Sequence, residues 1–318
     1  MDRRRRVGPT GEKSKSGPVS KQSFVTLKPG TEQANPVSTN IDSLDTIGIL
    51  QTIHSQDALV ASAVGSALDQ ITRCVDAAVR AIGRGGRLIY VGAGTSGRLG
   101  VMDAAECPPT FGVSAKTVVA VIAGGKKALY RAVESAEDDA EQGRFDLEEL
   151  QVGKDDVVVG LSASGGTPYT LEALDCARVH GAATAAVTSN ADSPLARKAR
   201  IAIVARTGPE VIAGSTRMKA ALAQKMILQM ISTATMIRLG YVYRNYMVGV
   251  RPTNQKLDER ACGIISEITG AGRLKARVAL TEAGQDLKLA IVMLIKSLNR
   301  TAAAKLLEKN KGNLRRII

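Results

Sequence analysis

The chain has 318 residues, of which 44% are hydrophobic and 23% charged, with a formal net charge of +13. This is the balance of an ordinary globular protein, long enough for one large domain or two of moderate size. It argues against a membrane protein, because no apolar run reaches the ~20 residues a bilayer span needs. It also argues against a secretory signal, because no apolar core follows the N-terminal arginines.

Residues 1–30 carry eight Lys/Arg against two acids, including the run Arg3–Arg6. The segment lacks periodicity and reads as a disordered basic tail. Aromatics are 3% of the chain and none interleaves with these arginines, which argues against nucleic acid as a partner. Cys74, Cys107, Cys176 and Cys262 are widely spaced, with no CxxC or Cys/His cluster. They read as reduced packing residues, so no metal is expected and the expected compartment is the cytoplasm.

Taken in order, apolar residues at helical spacing from about 57 to 82 predict a long helix, closed by Gly83 and Gly85-Gly86. Strands are predicted at 88–91, 118–122, 157–161, 182–188 and 201–205. Helical patterns lie between them near 97–105, 126–142, 168–179 and 193–199. The strands are nearly continuous apolar runs, as expected where both faces of a sheet are covered, and the alternation predicts a doubly wound parallel α/β sheet. A helix over about 216–239 follows, with Met218, Met226 and Met230 read as core filler. Patterns at 256–269, 274–283, 286–298 and 301–308 predict a compact C-terminal region of short helices. The domain reading is a tail (1–30), an α/β domain (31–250) and a helical domain (251–318).

The stretch Leu88–Pro109 organises the chain. A buried strand runs into Gly92-Ala-Gly94-Thr95-Ser96-Gly97 and opens a helix, which Pro108 and Pro109 are expected to end. Backbone N–H groups at such a turn converge on an anion, so a phosphate site is expected there. The glycine spacing also fits a dinucleotide loop. However, the second strand ends Ile122-Ala-Gly-Gly, without the acidic residue that holds a ribose. The third strand instead runs into Ser162-Ala-Ser164-Gly-Gly-Thr167-Pro168, whose hydroxyls and helix start suit one compact phosphate on a small molecule.

Three carboxylates stand out. Glu106 is placed at the end of the first-loop helix, where the dipole would raise its pKa into a range useful for proton transfer. Glu134 and Glu137, three apart, are placed on one helix face. By spacing alone, solvated surface glutamates remain the plainer reading of all three. His54 and His180 are isolated and are not favoured as catalytic groups.

The segments TEQANPVSTNID (31–42), GAGTSGRLGVMDAAECPPTFGV (92–113), AVESAED (132–138), SASGGTP (162–168), TGPEVIAGSTRMK (207–219), TNQKL (253–257) and DLKLAIVMLIKSL (286–298) resemble the N-acetylmuramic acid 6-phosphate etherases of the sugar isomerase (SIS) fold. The glucokinase regulatory protein, which binds sugar phosphates without catalysis, carries the same motifs. The resemblance implies a flavodoxin-like five-stranded sheet and a small ubiquitin-associated-like helical domain. It implies a lyase that removes the D-lactyl ether of N-acetylmuramic acid 6-phosphate by elimination and water addition. Glu106 and Glu137 would be the acid/base pair, and Thr95, Ser96, Glu134, Ser162, Ser164 and Thr167 the substrate and phosphate contacts. It further implies a homodimer that needs neither cofactor nor metal. A non-catalytic sugar-phosphate sensor and an aldose–ketose isomerase are the alternative readings. The chain departs from the family pattern at Gly166, where Arg is usual, at Ala221-Leu222, where Gly-Thr is usual, and at Gly249, where Asp is usual.

Overall fold

A computed structural model describes residue 1, residues 30–252 and residues 254–318; between its two end residues, the basic segment 1–30 lies outside the described residues. Helices α1 (Thr46–Asp57), α2 (Val60–Gly65) and α3 (Leu68–Ile82) precede strand β1 (Leu88–Gly92). Next come α4 (Gly94–Phe111), β2 (Val118–Ile122), α5 (Ala140–Glu149), β3 (Val157–Leu161), α6 (Pro168–Val179), β4 (Ala183–Thr188), α7 (Pro194–Lys198), β5 (Ile201–Val204) and α8 (Lys219–Arg238). A short hairpin, β6 (Val242–Tyr243) and β7 (Tyr246–Met247), leads to α9 (Gln255–Thr269), α10 (Arg273–Glu282), α11 (Leu287–Lys296) and α12 (Arg300–Lys309).

The five long strands form one parallel sheet in the order β2-β1-β3-β4-β5. Alternate residues of β1 serve opposite faces. Leu88 and Tyr90 join a core built with α2, α3, α4 and α8, whereas Ile89 and Val91 join one built with α5 and α6. Burial on both sides is why the strands read as unbroken apolar runs. A separate apolar cluster gathers the side chains of the hairpin and α9–α12, from Tyr243 to Leu314. Among the described residues, no helix is long and apolar enough to cross a membrane. All four cysteines are buried and unpaired.

Three sequence expectations need correction. The helix over 57–82 is two helices, α2 and α3, that follow the end of α1 at Asp57, because packing selects Val60, Val64, Ala67 and Ile71 as the buried line and leaves Leu59 and Leu68 exposed. The chain turns between them, and the Ser66 hydroxyl bonds back to the Ser62 carbonyl. Next, α4 does not stop before Pro108. Both prolines lie in its last turn, so the missing N–H groups release only the Ala104 and Ala105 carbonyls. The chain then leaves through Gly112 at φ 68°, whose N–H bonds to the Pro108 carbonyl at 2.8 Å. Finally, the pattern over 126–142 is two 3-10 turns, Gly125–Leu129 and Ala136–Asp138, joined by irregular chain in which Ser135 has φ 60°. Glu134 and Glu137 therefore share no helix face.

Candidate active site

In a sheet of this order the chain leaves β1 and β3 in opposite directions, opening a crevice at the carboxyl ends of those strands. Gly92 pairs with Ile122 on one side and Leu161 on the other, so the loops after β1 and β3 begin at the same level. Gly97 is required for this closeness. A Cβ there would lie 2.6 Å from the Gly92 carbonyl oxygen and 2.6 Å from Ile122 Cγ1.

Both loops end in helices that lack a side-chain cap. Asp45, Asp139, Asn254, Asp286 and Asn299 each cap a helix with a side-chain oxygen. Ala93 and Thr167, which precede α4 and α6, provide no such cap. The first-turn N–H groups of these two helices are thus free for an external acceptor, with the positive ends of both dipoles behind them.

Thr167 does not cap because its hydroxyl meets Ser162 Oγ at 2.8 Å. Ser162 is buried and also accepts the Gly165 N–H at 3.0 Å, with Ser164 Oγ 3.4 Å away. Ser164 Oγ accepts from the Gly166 N–H at 3.2 Å. The structure thus brings Ser162, Ser164 and Thr167 into one hydroxyl cluster. Thr95 and Ser96 stand in the first turn of α4, across the crevice. Gly165 holds the turn at φ 71°, and a Cβ there would lie 2.3 Å from the Ser193 side chain. Gly166 has open space beside it, so a longer side chain would find room at that position. Gly249 has none, since a Cβ would meet the Phe111 carbonyl oxygen at 2.2 Å.

None of the three glutamates hydrogen-bonds to this cluster. Glu134 lines a cavity of about 540 Å³ beside Gly124 and Gly125, just past β2. Arg98 ties that region to the first loop, since its Nε donates to the Ala128 carbonyl at 2.8 Å. Glu137 is exposed in the Ala136–Asp138 turn, which packs on α6. Glu106 is exposed on α4, five residues before its end rather than at it. It lies about 18 Å along the helix axis from Gly94, at 1.5 Å per residue. Asp103, one turn earlier, anchors this part of α4. It accepts from Tyr90 at 2.9 Å and from Ser232 at 3.1 Å, and burial raises its pKa. Burial also pushes the neighbouring Cys107 thiol up to about 12.

Two supports carry no obvious sequence signal. Asn190, after β4, accepts from the Gly30 N–H and donates to the Ser164 carbonyl at 3.1 Å, fastening the hydroxyl loop to the chain at 30–31. Lys219 is buried and donates to Gln56 at 2.9 Å, and Gln56 also accepts from Asn35. Burial lowers the Lys219 pKa against the pull of Glu210, whose carboxylate caps α8 through the N–H groups of Lys219 and Ala220. A glutamate and a lysine inside otherwise apolar or small-residue stretches were the available hint.

Ser164→Ala is expected to weaken sugar-phosphate binding by ~1–3 kcal/mol, the range for losing a hydrogen bond to a charged group. Calorimetry on the folded variant checks it, and unchanged affinity would remove Ser164 from the site.

Fold and site together define a SIS-type α/β protein with an uncapped, hydroxyl-lined crevice between β1 and β3. Residues 140–234 match the SIS domain model, and residues 70–178 match the glucokinase regulatory protein N-terminal SIS domain model. The chain is 52% identical to the N-acetylmuramic acid 6-phosphate etherase of Aeromonas hydrophila subsp. hydrophila, over 89% of this chain and 95% of that protein. It is 49% identical to the etherase of Lactobacillus gasseri, over 91% and 97%. Among solved structures, a phosphoheptose isomerase from Francisella tularensis aligns with a TM-score of 0.45 at 15% identity, over 60% of this chain and 100% of that one. This chain belongs to the N-acetylmuramic acid 6-phosphate etherase family.

Proposed function

We propose that the chain cleaves the lactyl ether of N-acetylmuramic acid 6-phosphate, giving N-acetylglucosamine 6-phosphate and D-lactate. The observation that carries this reading is the uncapped, hydroxyl-lined crevice between β1 and β3, in a chain about half identical to named etherases along nearly its whole length.

The 6-phosphate sits against the free N–H groups of α4 and α6, with Thr95, Ser96, Ser162, Ser164 and Thr167 supplying hydroxyl contacts and Glu134 lying nearer the sugar. In the open-chain sugar the C1 aldehyde acidifies the C2 proton. Glu106 removes it, the C3–O bond breaks, and a proton delivered to the ether oxygen releases lactate. Glu137 is the second acid/base group. Water then adds at C3 of the unsaturated aldehyde while C2 is reprotonated, so one water is consumed per lactate formed.

The placement of Glu106 bears on assembly. An exposed carboxylate about 18 Å along α4 from its own phosphate loop is too far to reach C2 of a sugar held there. A second copy must bring its Glu106 to the crevice, which supports a homodimer with composite sites. A cytoplasmic location fits a substrate phosphorylated at C6, because such sugars are made and consumed where phosphoryl donors are kept.

The test is lactate release from N-acetylmuramic acid 6-phosphate by the purified chain, with stoichiometric N-acetylglucosamine 6-phosphate. Binding without lactate would instead assign the crevice to a sugar-phosphate sensor, and aldose–ketose interconversion without lactate to an isomerase.

A further inference from the structure

The pole of the sheet opposite the crevice holds a second cavity, of about 520 Å³, at the amino ends of β3, β4 and β5. Strands of five residues separate the two poles by about 16 Å. Five cations line it: Arg73, Arg80 and Arg84 from or just after α3, Lys154 before β3, and Arg200 before β5. All five are exposed, and among the described residues none has a hydrogen-bond or ion-pair partner for its side chain.

The acids nearby do not neutralise them. Asp156 is held by Arg87 at 2.7 Å, and Asp76 by Arg238 at 2.9 Å. Asp155 remains, one carboxylate against five cations. Elsewhere on this chain, exposed arginines such as Arg144, Arg238 and Arg277 sit in ion pairs. Like charges gathered in one concavity repel, so the arrangement favours any anion that can bridge several of them.

The shape narrows the ligand. Arg73 and Arg80 are two helical turns apart on one face of α3, and Arg84 follows just past its end. Lys154 and Arg200 come from the strand side. The floor between them is Ala77, Ala81, Gly181 and Ala183, whose small side chains leave the volume open. No aromatic ring lines the cavity, so there is no platform for stacking a base. The volume lies in the range of small-molecule sites. Guanidinium groups recognise phosphate oxygens in pairs, and several of them together discriminate by the number of phosphates.

We propose that this bowl binds a small oligophosphate, recognised through two or more linked phosphates, at a site separate from the sugar-phosphate crevice. Inorganic tripolyphosphate is the probe, titrated calorimetrically into the full chain at ~0.15 M salt, where weak surface attraction is largely screened. One tripolyphosphate per chain is expected, at least tenfold tighter than monophosphate. Arg80→Ala and Arg200→Ala should each weaken it by about tenfold, the loss of a charge-assisted hydrogen bond. Ser164→Ala, in the crevice, and the pair Lys305→Ala/Lys309→Ala, on the distant α12, should leave it unchanged, and both arginine variants should keep full lactate release. Because both arginines are exposed, near-ultraviolet circular dichroism should show the variants folded.

The proposal is overturned if monophosphate and tripolyphosphate bind alike, or if the arginine variants bind as wild type. It is equally overturned if Ser164→Ala abolishes binding, which would place the anion in the crevice. Tighter competition by a single-stranded oligonucleotide would also reject it and assign the patch to nucleic acid.

Discussion

Glu106→Gln is expected to lower the rate of lactate release by at least ~10²–10⁴-fold, the usual contribution of a positioned acid–base group. Glutamine keeps the size and much of the hydrogen bonding of glutamate but cannot accept the C2 proton. Glu106 is exposed and flanked on the buried side by the Asp103–Tyr90–Ser232 anchor, so the substitution leaves the packing of α4 intact. N-acetylglucosamine 6-phosphate should therefore still bind with wild-type affinity.

The wild-type reaction supplies the matching isotopic evidence. In heavy water the product should gain deuterium at C2. In oxygen-labelled water it should gain label at C3 while lactate keeps the ether oxygen. Label in lactate would mean cleavage on the lactyl side and would reject elimination. A Gln variant running at near wild-type rate would take Glu106 out of the chemistry and turn attention to Glu137.

Mixing two inactive variants should restore activity. One is Glu106→Gln; the other is the loop double variant Ser162→Ala/Ser164→Ala, assayed at limiting substrate so that lost phosphate binding appears as lost rate. If each site takes its phosphate loops from one chain and Glu106 from the other, a mixed dimer holds one intact site and one doubly damaged one. Random exchange of equal amounts gives half mixed dimers, so activity should rise to about 25% of wild type. The readout is lactate release before and after subunit exchange by mild denaturant and refolding. Activity that stays at the mean of the two parents would mean that Glu106 serves its own chain's crevice, against the separation of about 18 Å along α4.

The five-stranded sheet was legible because its signal is local. Runs such as Val157–Leu161 suit burial on both faces and are bounded by polar residues, Asp155-Asp156 before and Ser162 after, so their positions follow from the local pattern. The same holds for α6, which starts at Pro168, and for the two loops, whose residues are contiguous. The hydroxyls of the second loop come together for the same reason, since Ser162, Ser164 and Thr167 lie within six residues of one turn.

Tertiary structure decided what depends on distant partners. The break of 57–82 into α2 and α3 follows from which side chains α8 and the sheet cover, a choice that periodicity leaves open. Pro108 and Pro109 stay helical because they fall in a last turn closed by Gly112, a cost only the finished helix end makes small. Glu134 and Glu137 lost their shared face because residues 125–138 wrap past the end of β2 as two tight turns instead of one helix. The Gly30–Asn190 and Gln56–Lys219 contacts join residues 160 and 163 positions apart, through polar contacts that form only once burial removes water as their competitor. The five cations of the opposite pole are scattered over residues 73–200, and only the convergence of three strand ends on one helix face makes them a single field.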